Sequence, residues 1–390
     1  MIIMLILAHA LSVFLIVYHH IFYPILLSII ARSKMDSNCG VKAIDDTELP
    51  HITVIIPAYN EEKWIADKIL NLSILDYPST KLSIKIVCDG CTDDTVTIAN
   101  TYLKYGECEG LNIEVIDHPI NRGKVTLINE TMQLVDSDIV ALSDVSAIIS
   151  IDALKIAAAA FQDPEIGVVN SQYRIYDSAN SIDTSYWEYQ SKIKEKESQI
   201  DSTLGAHGAF YIFRKELFVE LEADTINDDF ILPMRIIEQG YKVKQFPNIK
   251  ALELEPSTQS MNSQRRKRIS AGNIQQVIRL KTLFLPQHKY VAFLFTSGKG
   301  LRVAMPLLMI LAYITNLSLI QYHTIFLVEF ILQNVIYIGV SFNIKYQITK
   351  NKYINMLGYL ISGHFNNLIG TYQFILGKRN KVWTKILPKD

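Results

Sequence analysis

The sequence predicts an α/β fold: a parallel sheet flanked by helices, with transmembrane helices near both ends of the chain. Three observations carry this. The apolar run Ile52-Thr53-Val54-Ile55-Ile56 stops at Pro57-Ala58-Tyr59-Asn60-Glu61-Glu62. Trp64, Ile65, Ile69, Leu72 and Leu75 then recur on one helical face. A second apolar run, Ile84 to Val87, ends in Cys88-Asp89-Gly90-Cys91-Thr92-Asp93-Asp94-Thr95. Strand, helix and strand in this succession open a parallel sheet. Ligands of open α/β sheets bind beyond the carboxyl ends of the strands, where both runs place ligand-capable side chains: Tyr59, Asn60 and Glu61 after the first, Asp89 after the second.

The 390 residues carry a formal charge of −1, so nothing points to a nucleic-acid partner. Hydrophobic residues make up 49% of the chain and concentrate at its two ends. Met1 to Ala31 contains no Asp, Glu, Lys or Arg, and it exceeds the roughly 20 residues that a spanning helix needs. Residues 1–31 are predicted as a transmembrane anchor, bent or ended by Pro24. The stretch lacks the basic start of a cleaved signal peptide. Arg32 and Lys34 follow, so the next segment is expected in the cytoplasm. Cys39, Cys88, Cys91 and Cys108 fit a reducing compartment. Cys88 and Cys91 have C-x-x-C spacing, but no second pair completes a zinc site, and they read as packing and loop residues.

No glycine fingerprint follows the first strand, and Gly123-Lys124 lacks the rest of a phosphate loop. A carboxylate-rich nucleotide site is left, of a kind that works through a divalent metal. Residues 32–49 read as a linker and 50–248 as the catalytic domain. Thr92 or Asp93 caps a helix to about Tyr105, and Asp93 and Asp94 read as capping acids that complement its dipole. Leu111 to Ile116 is a third strand, followed by Asn121-Arg122-Gly123-Lys124 and a helix through Leu134. Ile139 to Leu142 is a short buried strand ending in Ser143-Asp144-Val145-Ser146. A helix over Ile151–Phe161, a strand at Val168-Val169-Asn170 and a rim helix over Ser181–Ile200 come next. Gly205-Ala206-His207-Gly208-Ala209 then offers a backbone that a ligand can approach closely. Thr225-Ile226-Asn227-Asp228-Asp229-Phe230 enters a helix over Ile231–Gln239, closed by Gly240.

Residues 57–62 and 89–95 resemble the opening motifs of the family-2 glycosyltransferases, inverting enzymes of the GT-A fold that use nucleotide-sugar donors. The resemblance covers most of the chain. It implies that Pro57, Tyr59, Glu61 and Asp89 hold the donor nucleoside. It places Lys124 beside the donor diphosphate, as a lysine can face phosphate; the alternative is a solvated loop lysine. Asp144 takes the first position of the family's Asp-x-Asp metal motif, with Ser146 in the second. One carboxylate with phosphate oxygens and waters suits Mg2+ or Mn2+, while the alternative for Asp144 is a helix cap. His207 falls in the acceptor-side glycine-rich segment. Aligned on Arg235 and Gly240, the family's Thr-Glu-Asp-like motif puts Asp229 at the catalytic base and Asp228 at the Glu. Helix capping explains one of these acids more readily than both.

Gln264 to Arg268 is basic. Processive members of the family carry Gln-x-x-Arg-Trp here, and alignment on Gly272 gives Arg265, Arg268 and Ile269 in those places. Arg265 and Arg268 are read as donor diphosphate ligands, with attraction to anionic lipid as the alternative. Residues 249–302 form a membrane-proximal segment. Residues 303–343, whose only charge is Glu329, hold two transmembrane helices. Residues 353–377 are a third membrane or interfacial segment, and 378–390 a basic tail. A span at 353–377 would carry that tail outside, which favours the interfacial reading.

The resemblance thus implies a hexosyl- or N-acetylhexosaminyltransferase of the cell membrane with a cytoplasmic catalytic domain. It moves a sugar from a UDP-sugar to a lipid-linked or glycan acceptor, with the lipid bilayer as a further partner. The alternative is a non-catalytic sugar-nucleotide-binding partner of a polysaccharide assembly; the single metal carboxylate supports it and the Asp228-Asp229 pair opposes it. Ile269 in place of the acceptor-stacking Trp leads us to expect a product of one or a few added sugars.

Overall fold

The computed structural model describes residues 1–34, 44–176, 182–255, 259–346, 348–349 and 351–377. In chain order, helices α1 (Ile2–Val17) and α2 (Tyr23–Ser33) precede β1 (Ile52–Ala58), α3 (Ile65–Ser73), β2 (Leu82–Asp89), α4 (Thr95–Tyr102) and β3 (Asn112–His118). Then come α5 (Lys124–Met132), β4 (Ile139–Ser143), β5 (Ala147–Ile149), α6 (Ala153–Ala160), β6 (Ile166–Ile175), α7 (Ile182–Ile200), β7 (Phe210–Arg214), α8 (Asp228–Glu238) and β8 (Lys242–Glu253). The chain closes with α9 (Gln259–Arg279), α10 (Tyr290–Leu294), α11 (Leu301–Leu319), α12 (Thr324–Tyr346) and α13 (Lys352–Ile375). Two compact units result, Ala31–Met261 and Met1–Ile30 with Asn262–Lys378.

The first unit is built on an eight-stranded sheet in the order β3-β2-β1-β4-β7-β6-β8-β5. Strands β3, β2, β1 and β4 run parallel, and β7 is antiparallel to both of its neighbours, β4 and β6. Every residue of β1 is buried, as a central strand covered on both faces requires. Pro57 fits in β1 because the pairing with β4 stops at Ile55, leaving no ladder bond that needs its missing N–H.

Three expectations need correction. The catalytic unit does not end at residue 248: β8 runs through that position to Glu253, and the unit continues to Met261. Pro247 and Asn248 sit in a register shift where β6 pairing jumps from Phe246 to Lys250, so the strand absorbs them as an irregularity. Asp94 stands at the N-cap of α4 but makes no side-chain cap hydrogen bond; Asp93 does, accepting the Thr95 N–H at 3.1 Å. Pro24 does not end the first span: a widened helical turn over Tyr18–Phe22 leads directly into α2. Such a turn absorbs the hydrogen bond that proline cannot make. The start of the predicted rim helix at Ser181, residues 35–43 of the linker with Cys39, and the basic tail 378–390 lie outside the described residues.

In the second unit, three helical stretches among the described residues are long and apolar enough to cross a membrane: Ile2–Ser33, Tyr290–Leu319 and Thr324–Tyr346. The helical stretch that holds the first of the two spans expected at 303–343 begins earlier, at Tyr290. Polar contacts join helices of this unit. His9 of α1 meets the Glu329 carboxylate of α12 at 3.2 Å through Nε2, and its Nδ1 lies 3.2 Å from both Ala312 O and Thr315 Oγ1 of α11. A Cβ on Gly370 would stand 2.6 Å from the Ser270 side chain, so α13 and α9 touch backbone to side chain.

Candidate active site

The loops after β1 and β2 are stitched to each other. Asn60, at φ 56°, adopts the left-handed conformation that Asn tolerates. Its Oδ1 accepts the Thr92 N–H at 2.8 Å, and its Nδ2 donates to Thr92 Oγ1 at 3.1 Å. Thr95 Oγ1 accepts the Glu61 N–H at 2.7 Å. Tyr59 and Glu61 follow the end of β1 and are partly exposed. Asp89 is fully buried, and both its oxygens are engaged: they accept the N–H groups of Arg122 at 2.9 Å and Gly123 at 2.8 Å. This carboxylate, expected at the nucleoside, fixes the loop that leads into Lys124. Gly90, at φ 64°, is required there, because a Cβ would lie 2.4 Å from Asn121 N.

Lys124 opens α5 and reaches back under the sheet end. Its Nζ is 2.8 Å from Asp144 Oδ1 and 3.7 Å from Asp228 Oδ2. Asp144 follows β4, and its N–H donates to Ala209 O at 3.1 Å, extending the pairing of Ser143 with Phe210. That pairing brings the end of β4 and the loop before β7 to one place. The loop also rests on the start of α8: Ala206 N–H donates to Asp229 O at 2.9 Å, and Gly208 N–H to Asp229 Oδ2 at 3.1 Å. Asp144, Asp228, Asp229 and Lys124, all named from the sequence, are thus brought together. Arg265 and Arg268 lie on α9 in the other unit, partly buried and exposed respectively.

Burial, and then the neighbouring Asp228, push the Asp229 carboxyl up to about 6. Burial also acts against ionisation of Asp144, but the Lys124 ammonium beside it holds its carboxyl below the ordinary range. Lys124 is likewise held charged against burial, by Asp144 and Asp228. Asp228 Oδ2 is buried and accepts no hydrogen bond.

Asp144 and Asp228 stand beside the Lys124 ammonium, and carboxylate oxygens suit a hard divalent cation. Among the described residues, however, no cluster of three or more His, Cys, Asp or Glu side chains is disposed to hold a metal. The Asp144 carboxylate and Asp228 Oδ2, which accepts no hydrogen bond, fit a hard divalent ion whose remaining ligands are phosphate oxygens and water.

Residues 53–221 match the model of glycosyl transferase family 2. They form a family-2 glycosyltransferase domain. Over 277 residues the chain is 26% identical to the poly-beta-1,6-N-acetyl-D-glucosamine synthase of Staphylococcus aureus (strain COL). It is 24% identical over 278 residues to the synthase of the same name from Staphylococcus epidermidis. Either match takes in 66% of this chain and 66% of the relative, so the chain spans about two-thirds of these relatives' length. Among solved structures, the mannosyltransferase PcManGT from Pyrobaculum calidifontis, in complex with GDP-Man and Mn2+, resembles it with a TM-score of 0.72. That likeness covers 95% of this chain and 100% of the other at 20% identity. It is a likeness of fold, and it agrees with the GT-A arrangement expected from the sequence.

The glycosyltransferase domain also holds residues that the motifs do not mark. Lys68 of α3 is fully buried; it donates to Ser143 Oγ at 2.7 Å and to Ala147 O at 2.6 Å, clasping the turn that carries Asp144. Burial lowers its ammonium to about 7, against the pull of Asp144 and Glu253. Its signal in the sequence is a lysine placed on the Ile65-Ile69-Leu72 face. Asn71, one turn on, pairs with the backbone of β5, accepting from Ile149 N and donating to Ile149 O at 2.9 Å each.

Proposed function

We propose that the chain is an inverting N-acetylhexosaminyltransferase that moves a sugar from a UDP-sugar, with UDP-N-acetylglucosamine as the first candidate, to a glycan or lipid-linked acceptor at the cytoplasmic membrane face. The observation that carries this reading is the setting of Asp229: a partly buried carboxyl whose pKa is raised to about 6, fixed by a backbone N–H, beside Asp144 and Lys124. A base poised near working pH suits removal of a proton from an acceptor hydroxyl. The acceptor oxygen then attacks the anomeric carbon from the side opposite the diphosphate. Lys124 and Asp144 serve the departing diphosphate, the lysine by its charge and the aspartate by holding a divalent cation. Mg2+ or Mn2+ there would neutralise negative charge on the leaving group. The named product of the staphylococcal relatives supports the choice of sugar, and the Mn2+ of the archaeal neighbour supports the metal. Arg32 and Lys34 after the first span support a cytoplasmic domain.

The test uses the full chain in lipid nanodiscs with UDP-N-acetylglucosamine and reads released UDP. Asp229→Asn keeps the shape but cannot accept a proton, so turnover is expected to fall roughly 10²-fold or more. Wild-type turnover by Asp229→Asn, with loss in Asp228→Asn instead, would move the base by one residue. Sizing the radiolabelled product distinguishes one or a few added sugars, our reading of Ile269, from a long ladder.

A further inference from the structure

We infer that Tyr173, Trp187 and His207 form a sugar subsite beside Asp229 that takes a pyranose ring of the acceptor. The inference rests on the transferase reading above and deepens it. The three rings come from separate elements: β6, α7 and the loop before β7. His207 stacks on Tyr173 with centroids 3.8 Å apart and planes at 15°. Trp187 meets both edge-on, at 5.2 Å from His207 and 5.1 Å from Tyr173. Tyr173 is buried, whereas Trp187 and His207 keep part of their surface exposed, which a cluster serving only to fill the core does not need.

The histidine is held in one orientation. Its backbone N–H donates to Asn170 Oδ1 at 2.9 Å, and its Nδ1 lies 3.2 Å from the Ala209 N–H. Nδ1 therefore accepts, and the ring proton of the neutral imidazole sits on Nε2. The next residue, Gly208, is the one that fixes Asp229. A pyranose has an apolar C–H face and a rim of hydroxyls. Aromatic surface suits the face; an imidazole N–H and a nearby carboxylate suit the rim. The site thus joins a stacking surface to the base that has to reach an acceptor hydroxyl.

Calorimetric titration of the full chain in nanodiscs with a short β-1,6-linked N-acetylglucosamine oligosaccharide tests the subsite. Trp187→Ala is expected to weaken oligosaccharide binding about tenfold or more, and Trp187→Phe by no more than about threefold. Binding of UDP-N-acetylglucosamine should shift by less than about twofold in both variants. Unchanged oligosaccharide binding in Trp187→Ala, no binding by the wild type, or equal losses for donor and oligosaccharide would each overturn the subsite. Trp187-dependent oligosaccharide binding by a protein that neither binds nor turns over the nucleotide sugar supports the subsite and defeats the transferase reading.

Discussion

The backbone N–H of Gly208 donates to Asp229 Oδ2 at 3.1 Å, and a Cβ built on Gly208 would stand 3.2 Å from that same oxygen and 3.6 Å from Asp144 Oδ2. A methyl group here fits only if the carboxylate gives way. Gly208→Ala is therefore expected to lower kcat roughly tenfold, since small misplacements of a catalytic group are costly, while donor affinity stays near wild type. Steady-state release of UDP measures it. An unchanged kcat would mean that Asp229 is not held where the chemistry needs it.

The pH dependence follows from the same carboxylate. Asp229 works as a base only when ionised, and its carboxyl is pushed up to about 6. kcat/KM should accordingly rise with pH through about 6 and level off above it. Asp228 is the second cause of that shift, after burial. In Asp228→Asn the rising limb is thus expected to move to lower pH, at whatever rate the variant retains. A limb that stays in place would show that a different group titrates.

Chelation tests the metal. With EDTA, turnover should be lost, and Mn2+ or Mg2+ should restore it. Asp144→Ala should need more metal to reach half its own maximal rate, because one of the few protein ligands is gone. Full activity in EDTA would leave the charge on the diphosphate to Lys124 alone, and Lys124→Met would then be the decisive variant.

A fourth expectation concerns stability. Asn71 is buried and makes two side-chain hydrogen bonds to Ile149, acting as a short extra rung on β5. Asn71→Ala strands a buried N–H and a buried carbonyl, at a cost of about 2–3 kcal/mol. A lowered unfolding midpoint of the purified protein reads this out. An unchanged midpoint would mean that solvent reaches the β5 edge.

The parallel half of the sheet was legible because β1 and β2 are apolar runs, each closed by a polar turn. β8 was not. Lys242, Lys244, Gln245 and Lys250 dilute its apolar pattern, and Pro247 imitates a turn where the strand has only an irregularity. β5 is three residues long, too short for any periodicity to register. The site residues Lys124, Asp144, Asp228 and Asp229 could be named from their motifs. Their mutual pairing could not, since it depends on strand register between segments far apart in sequence. Lys68 shows the same limit: its partners Ser143 and Ala147 lie 75 and 79 positions away, and only its apolar helical face hinted that it was buried. Asp89 was recognised as important, but its engagement by two backbone amides cannot be read from a motif.

Helix α7 leaves the sheet after β6 and returns just before Gly205, while the pairing of β4 with β7 sets the spacing of Asp144, Gly208 and Asp229 from beneath. The α7 segment is tied into that frame: Lys194 Nζ donates to Leu204 O at 2.7 Å and to Gly205 O at 2.9 Å, and Glu197 Oε2 accepts the Leu204 N–H at 3.0 Å. An exchange of α7 between related domains, Trp187 included, therefore has to keep Lys194 and Glu197 if the acceptor is to change while the chemical step keeps its geometry.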